Sequence, residues 1–184
     1  MAALVAAALA SIGDKPALLA AIFADRYRAP GTVIVAALLA LAGASGLAAM
    51  GGALIAPQLT PEARQLLLAL ALLLQGAGAF WTGKPPERLT GWRLGAFVTS
   101  LLGLFILLFG DGLMFVVVAL AARSELPALA AVGATLGGLA VIAPAALLGE
   151  AGWAKLPLVR ARRVIGGLFL LAAIWLGLGA FKLV

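Results

Sequence analysis

Six stretches of the chain are apolar for long enough to cross a lipid bilayer, at roughly 2–24, 31–56, 64–82, 94–121, 128–148 and 164–182. A helix rises 1.5 Å per residue, so about 20 residues bridge a hydrocarbon layer of ~30 Å. Polar and helix-breaking residues separate the runs. Pro30-Gly31 opens the second, Pro57 and Pro61 divide the second from the third, and GKPPERLTGWR (83–93) joins the third to the fourth. Pro127 opens the fifth run, and KLPLVRARR (155–163) precedes the sixth. The pattern predicts an all-α, polytopic membrane protein with six transmembrane helices in a single transmembrane domain, 1–184.

Composition agrees with lipid as the solvent. Hydrophobic residues make up 65% of the 184 positions and charged residues 11%, against roughly 45–50% and 25% in soluble chains. In water that much apolar surface drives aggregation. The first run also has signal-peptide features, with AALVAAALA as the apolar stretch and Ala8-Leu9-Ala10 as a cleavage site. No Lys or Arg precedes it and apolar character resumes at Ala17, so it is read as a retained span.

The net charge of +6 does not point to nucleic acid, because the cations sit in short segments between apolar runs and form no stripe interleaved with aromatics. They act instead as topology signals. Arg26, Arg28, Lys84, Arg88, Arg93, Lys155, Arg160, Arg162 and Arg163 follow the first, third and fifth runs, whereas Arg64, Arg123 and Lys182 lie on the other side. The excess predicts that the first set is cytoplasmic and that both termini lie on the non-cytoplasmic side. Trp81, Trp92 and Trp153 flank the cytoplasmic side, where interfacial aromatics belong.

The chain also repeats itself. Gly13-Asp14 recurs as Gly110-Asp111, and Arg26 and Pro30 recur as Arg123 and Pro127, all at an offset of 97. The expected organisation is repeat one at 1–83, a cytoplasmic linker at 84–93 and repeat two at 94–184. Three spans per half is an odd number, so the halves are expected to be inverted relative to each other, with a substrate site near the midplane between them. Small residues such as Gly43, Gly46, Gly51 and Gly52, and the pattern Gly133-Ala-Thr-Leu-Gly137, suit close helix packing.

Chemistry is restricted by what is missing. With no Cys and no His, disulfides and thiolate or imidazole metal sites are excluded, and any metal must be held by oxygen, which favours calcium, magnesium or manganese. Only Asp14, Lys15 and Asp111 are ionisable and well inside runs. Asp14 lies about 18 Å along the first run, near mid-membrane. A carboxylate there costs about 2.5–3.5 kcal/mol on insertion scales, so a matched pair points to shared function. Pro16 removes a backbone donor and restricts Lys15, so the helix is expected to stop near Gly13 and restart at Pro16, with Asp14 or Lys15 near its cap. Gly110 and Gly112 loosen the chain around Asp111 in the same way. Carbonyls freed at such breaks are oxygen ligands for a cation.

Ser11-Ile-Gly-Asp-Lys-Pro16 and Leu108-Phe-Gly-Asp-Gly-Leu113 resemble the paired motif of the transmembrane protein 165 family of calcium/manganese transporters, Glu-hydrophobic-Gly-Asp-Lys/Arg-Ser/Thr. Length, six spans and the repeat extend the resemblance to nearly the whole chain. It implies no enzyme and no cofactor, but movement of Mn²⁺ or Ca²⁺ in exchange for protons across a bacterial inner membrane. Asp14 and Asp111 then take ligand positions, and Ile12-Gly13 and Phe109-Gly110 the motif framework. The chain departs from the pattern: Ser11 and Leu108 replace both glutamates, Gly112 replaces a basic residue, and Pro16 and Leu113 replace hydroxyls. Two carboxylates and one lysine then leave a deficit of negative charge for a divalent ion unless Lys15 points away. Ser11, three residues before Asp14, would share its face on a continuous helix and could replace a carboxylate oxygen. Gln75, and beyond it Ser45, Thr99, Ser100 and Thr135, are neutral alternatives whose ordinary use is interhelical hydrogen bonding.

The competing readings are a transporter of a monovalent cation or small solute, a non-transporting membrane subunit, and an intramembrane aspartyl protease. The last lacks the Tyr-Asp partner motif, and no Gly-rich phosphate loop for ATP-driven transport is present. The expected partners are the lipid bilayer, a metal cation and protons, with no nucleic acid; a homo-oligomer is left open.

Overall fold

The computed structural model describes residues 1–81 and 85–181. The expected repeat boundary at 83/84 and the cations Lys84 and Lys182 lie outside the described residues. Among those described, the regular elements are helices: α1 (Ala2–Ser11), α2 (Lys15–Tyr27), α3 (Pro30–Ile55), α4 (Pro61–Phe80), α5 (Gly95–Phe109), α6 (Gly112–Ala122), α7 (Pro127–Ala154) and α8 (Leu158–Ala180). A 3-10 turn, Ala56–Gln58, extends α3. Four helices (α3, α4, α7 and α8) are long and apolar enough to cross a membrane. The pairs α1–α2 and α5–α6 are bent by 63° and 66°, and counting each pair as one span gives six. The protein is an integral membrane protein.

Local chemistry sets the helix starts. Pro30, Pro61 and Pro127 stand in first turns, where a missing N–H costs nothing and the fixed φ already suits a helix. Thr60 Oγ1 accepts the Ala63 N–H at 3.2 Å, so α4 begins three residues before the apolar run does. In the same way α8 begins at Leu158, ahead of its apolar run at 164. Arginine is a good helix former, so Arg160, Arg162 and Arg163 extend the helix rather than forming a loop before it.

Packing interleaves the two halves of the sequence. Helices α1 and α2 lie against α7, α5 and α6 lie against α3, α3 packs on α7, and α4 packs on α8 and α6. The interior is built of small residues: Ala36, Ala37, Ala40 and Ala44 of α3 are fully buried, while Leu54, Leu70, Leu129, Leu171 and Trp175 are exposed. Lipid removes the incentive to bury large apolar side chains, so association rests on close backbone contact. A Cβ at Gly76 would stand 2.8 Å from the Gly166 carbonyl oxygen, fixing the α4–α8 crossing. The Gly133-xxx-Gly137 face receives the α1 backbone around Leu4.

The linker is tied down at one end of the bundle. The Arg26 guanidinium donates to the carbonyl oxygens of Arg88, Leu89, Thr90 and Trp92 at 3.0–3.3 Å. Asp25 Oδ2 accepts the Glu150 N–H at 2.7 Å, beside a kink in α7 at Gly149 (φ 69°), and Arg88 pairs with Glu150. The Trp153 side chain, near the end of α7, is buried within the protein.

Candidate functional site

The two bends place the two motif aspartates at the starts of α2 and α6. In the first, α1 ends at Ser11, Gly13 adopts φ +73°, and Asp14 becomes the N-cap of α2, its carboxylate accepting the Lys15 N–H at 2.9 Å. A left-handed φ favours glycine because a Cβ crowds the following carbonyl. Here a Cβ would also stand 3.0 Å from the Leu158 carbonyl oxygen, so Gly13 seats the break against the start of α8. In the second, α5 ends at Phe109, Gly110 forms its cap, and Asp111 is the extended N-cap of α6. Both carboxylates therefore stand at the positive end of a half-helix.

The fold brings these ends together. Asp14 and Asp111 jointly line a cavity of about 130 Å³ bounded by Gln75, Gly78, Gly112, Arg162 and Phe169. They also share a second cleft with Lys15, Gly110 and Arg162. Asp14 is buried and Asp111 partly buried. Gln75 reaches the same place: its Oε1 lies against Gly112, in the space a Cβ would fill. The site can thus offer two carboxylates and an amide oxygen, with room for a cation that keeps several waters. That oxygen set suits a hard divalent ion. Among the described residues no third acidic group joins them.

Other expected contributors are placed elsewhere. Ser11 is buried at the end of α1 and lines neither cavity. Because the helix breaks between them, Ser11 and Asp14 do not share a helix face; the Ser11 carbonyl instead accepts the Asp14 N–H at 3.3 Å. Ser45, Thr99 and Ser100 are buried away from the site without hydrogen-bond partners, and Thr135 bonds back to the Ala131 carbonyl at 2.8 Å. Asp14 has a cationic neighbour, but it is not Lys15. Arg162 of α8 approaches its Oδ1 at 3.9 Å and donates to the Gly78 carbonyl at 3.1 Å. In the sequence, Arg162 stands out only as one of the topology charges of the segment 155–163. Its place next to the site depends on α8 starting early and packing on α4.

The sequence model of the divalent cation/proton antiporter GDT1 family matches the chain in two stretches, 1–87 and 96–183. The chain belongs to this divalent cation/proton antiporter family. It is also similar to a protein of Vibrio cholerae serotype O1 named "Putative manganese exporter", with 36% identity over 172 residues, covering 91% of this chain and 84% of the relative. No solved structure matches. Membership of the antiporter family makes this protein a divalent-cation transporter of the membrane and not an enzyme, which removes the protease reading.

Proposed function

We propose that the protein exports Mn²⁺ across a bacterial inner membrane in exchange for protons, with Asp14 and Asp111 as the alternating ligands of metal and proton. The observation that carries this is the shared cavity: two acidic groups, 97 residues apart in sequence, line one polar pocket at the starts of two half-helices. Gln75 is the neutral ligand; Gly13, Gly110 and Gly112 let the backbone pass close; Ser11 is no ligand, its carbonyl accepting the Asp14 N–H at the break. A binding site at paired helix breaks is the arrangement secondary transporters use. Manganese is preferred over calcium because the similar Vibrio protein carries that name, and a compact site with few carboxylates suits the smaller ion.

The same reading makes 1–83 and 94–184 inverted repeats joined at 84–93, with both termini on the non-cytoplasmic side. It is supported by the two stretches the family model matches, by the similar bends of 63° and 66°, and by each bent pair packing on the other half's long helix. Mn²⁺ flux into inverted vesicles, driven by an acidic lumen, tests the proposal. Asp14→Asn and Asp111→Asn should each abolish flux, and a protonophore should collapse it. Undiminished flux in both variants would reject the site; flux that ignores the proton gradient would reject exchange. Competition by Ca²⁺ and by monovalent cations ranks the cargo.

A further inference from the structure

The guanidinium of Arg162 is a charge at the site that neither the motifs nor the family description assigns. It approaches Asp14 Oδ1 at 3.9 Å, lines both cavities that Asp14 and Asp111 share, and borders a third cavity that leads from Asp14 to Pro85, Pro86 and Trp153 under the linker. Lys15 borders the second and third of these. Two fixed cations, Lys15 and Arg162, thus border the space that Asp14 and Asp111 line, and Arg162 is the one that approaches a carboxylate. A divalent ion entering beside Arg162 would meet a like charge in a low-dielectric region, where repulsion is strong. Withdrawal of a fixed cation from Asp14 would relieve that repulsion.

Arg162 is the one with somewhere to go. Its guanidinium already donates to the Gly78 carbonyl at 3.1 Å, in the last turn of α4, where the helix dipole favours positive charge. A guanidinium carries five donors in a planar fork, so it can give up Asp14 and keep Gly78 without being left unpaired. We infer that Arg162 is a tethered counter-cation that occupies Asp14 when the site is empty, competes with the incoming divalent ion, and sets its affinity and release. It is a positioning and specificity-determining residue, not a metal ligand, and this role rests on the site proposed above.

The test uses the full-length protein in detergent, with Mn²⁺ binding followed by loss of the free-ion paramagnetic resonance signal. Arg162→Gln should bind Mn²⁺ about tenfold more tightly or better, since one repelling charge is removed near a doubly charged ion, while Arg162→Lys stays within about threefold of the parent because the charge is kept. In vesicles Arg162→Gln should lower both KM and kcat, because release loses its internal competitor. A purely structural role would lower kcat without tightening binding. Binding by Arg162→Gln that is unchanged or weaker would overturn the inference. A second measurement needs no variant: saturating Mn²⁺ should increase phenylglyoxal modification of Arg162 in the parent protein, read by peptide mass spectrometry, and unchanged or reduced modification would also overturn it. Failure of the parent protein to bind or move Mn²⁺ would instead sink the transport site itself.

Discussion

Replacing Gly13 with alanine probes the geometry on which the site depends. Gly13 has φ +73°, and a Cβ there would stand 3.0 Å from the Leu158 carbonyl oxygen and 3.3 Å from the Leu158 Cβ. The left-handed conformation costs an L-residue about 1–2 kcal/mol, and the carbonyl contact adds to this unless α8 shifts. Reduced freedom of the unfolded chain returns about 0.4–1 kcal/mol. The net expectation is a loss of about 1–3 kcal/mol. Gly46 provides the control: it lies within α3, and a Cβ there meets nothing within 4 Å. Gly46→Ala should therefore be neutral or stabilising by up to ~1 kcal/mol. Both can be measured by reversible SDS unfolding in mixed micelles, with the four tryptophans as the reporter. Because Gly13 sets the break that positions Asp14 as the N-cap of α2, Gly13→Ala should also weaken Mn²⁺ binding. Equal stability of Gly13→Ala and the parent, or an equal loss in Gly46→Ala, would refute the account of the break.

Other outcomes follow from the same geometry. Gln75→Leu removes the neutral oxygen over Gly112 and should weaken Mn²⁺ binding by roughly 2–13-fold, the worth of one hydrogen-bonding or ligand group of about 0.5–1.5 kcal/mol, measured by the same titration. Gly76→Leu forces a side chain into the 2.8 Å approach to the Gly166 carbonyl oxygen and should cost several kcal/mol, as overpacking does, read as loss of monodisperse protein in detergent. Arg26→Gln releases the four linker carbonyls it holds and should speed proteolysis within 85–93, whereas Arg88→Ala breaks an exposed pair and should change stability by less than about 1 kcal/mol. On the proposed exchange, in which protons and metal share the same carboxylates, Mn²⁺ binding should weaken as pH falls, and binding that strengthens in acid would contradict it.

Much of the architecture can be read directly along the chain. Long apolar runs, prolines at their starts and two Gly-Asp pairs suffice to predict helices and the places where two of them break. These are local consequences: a span needs apolar length, and Gly13 with Pro16 disfavours a continuous helix wherever it folds. The ends were less legible. Thr60 capping extends α4, and arginines that look like a loop belong to α8, because a cationic turn remains helical when its stems reach the interface.

What sequence by itself determined is the solvent, the oxygen-only ligand chemistry and the pair of acidic residues too costly to keep in hydrocarbon without use. Tertiary structure decided which residues surround them. It set Gln75 over Gly112, separated Ser11 from the helix face of Asp14, and brought Arg162 of α8 to a carboxylate 148 positions earlier in the chain. The physical reason is that pairwise charge and ligand geometry depend on helix crossings, and in lipid those crossings are fixed by where small residues let two backbones touch, which no single helix reveals.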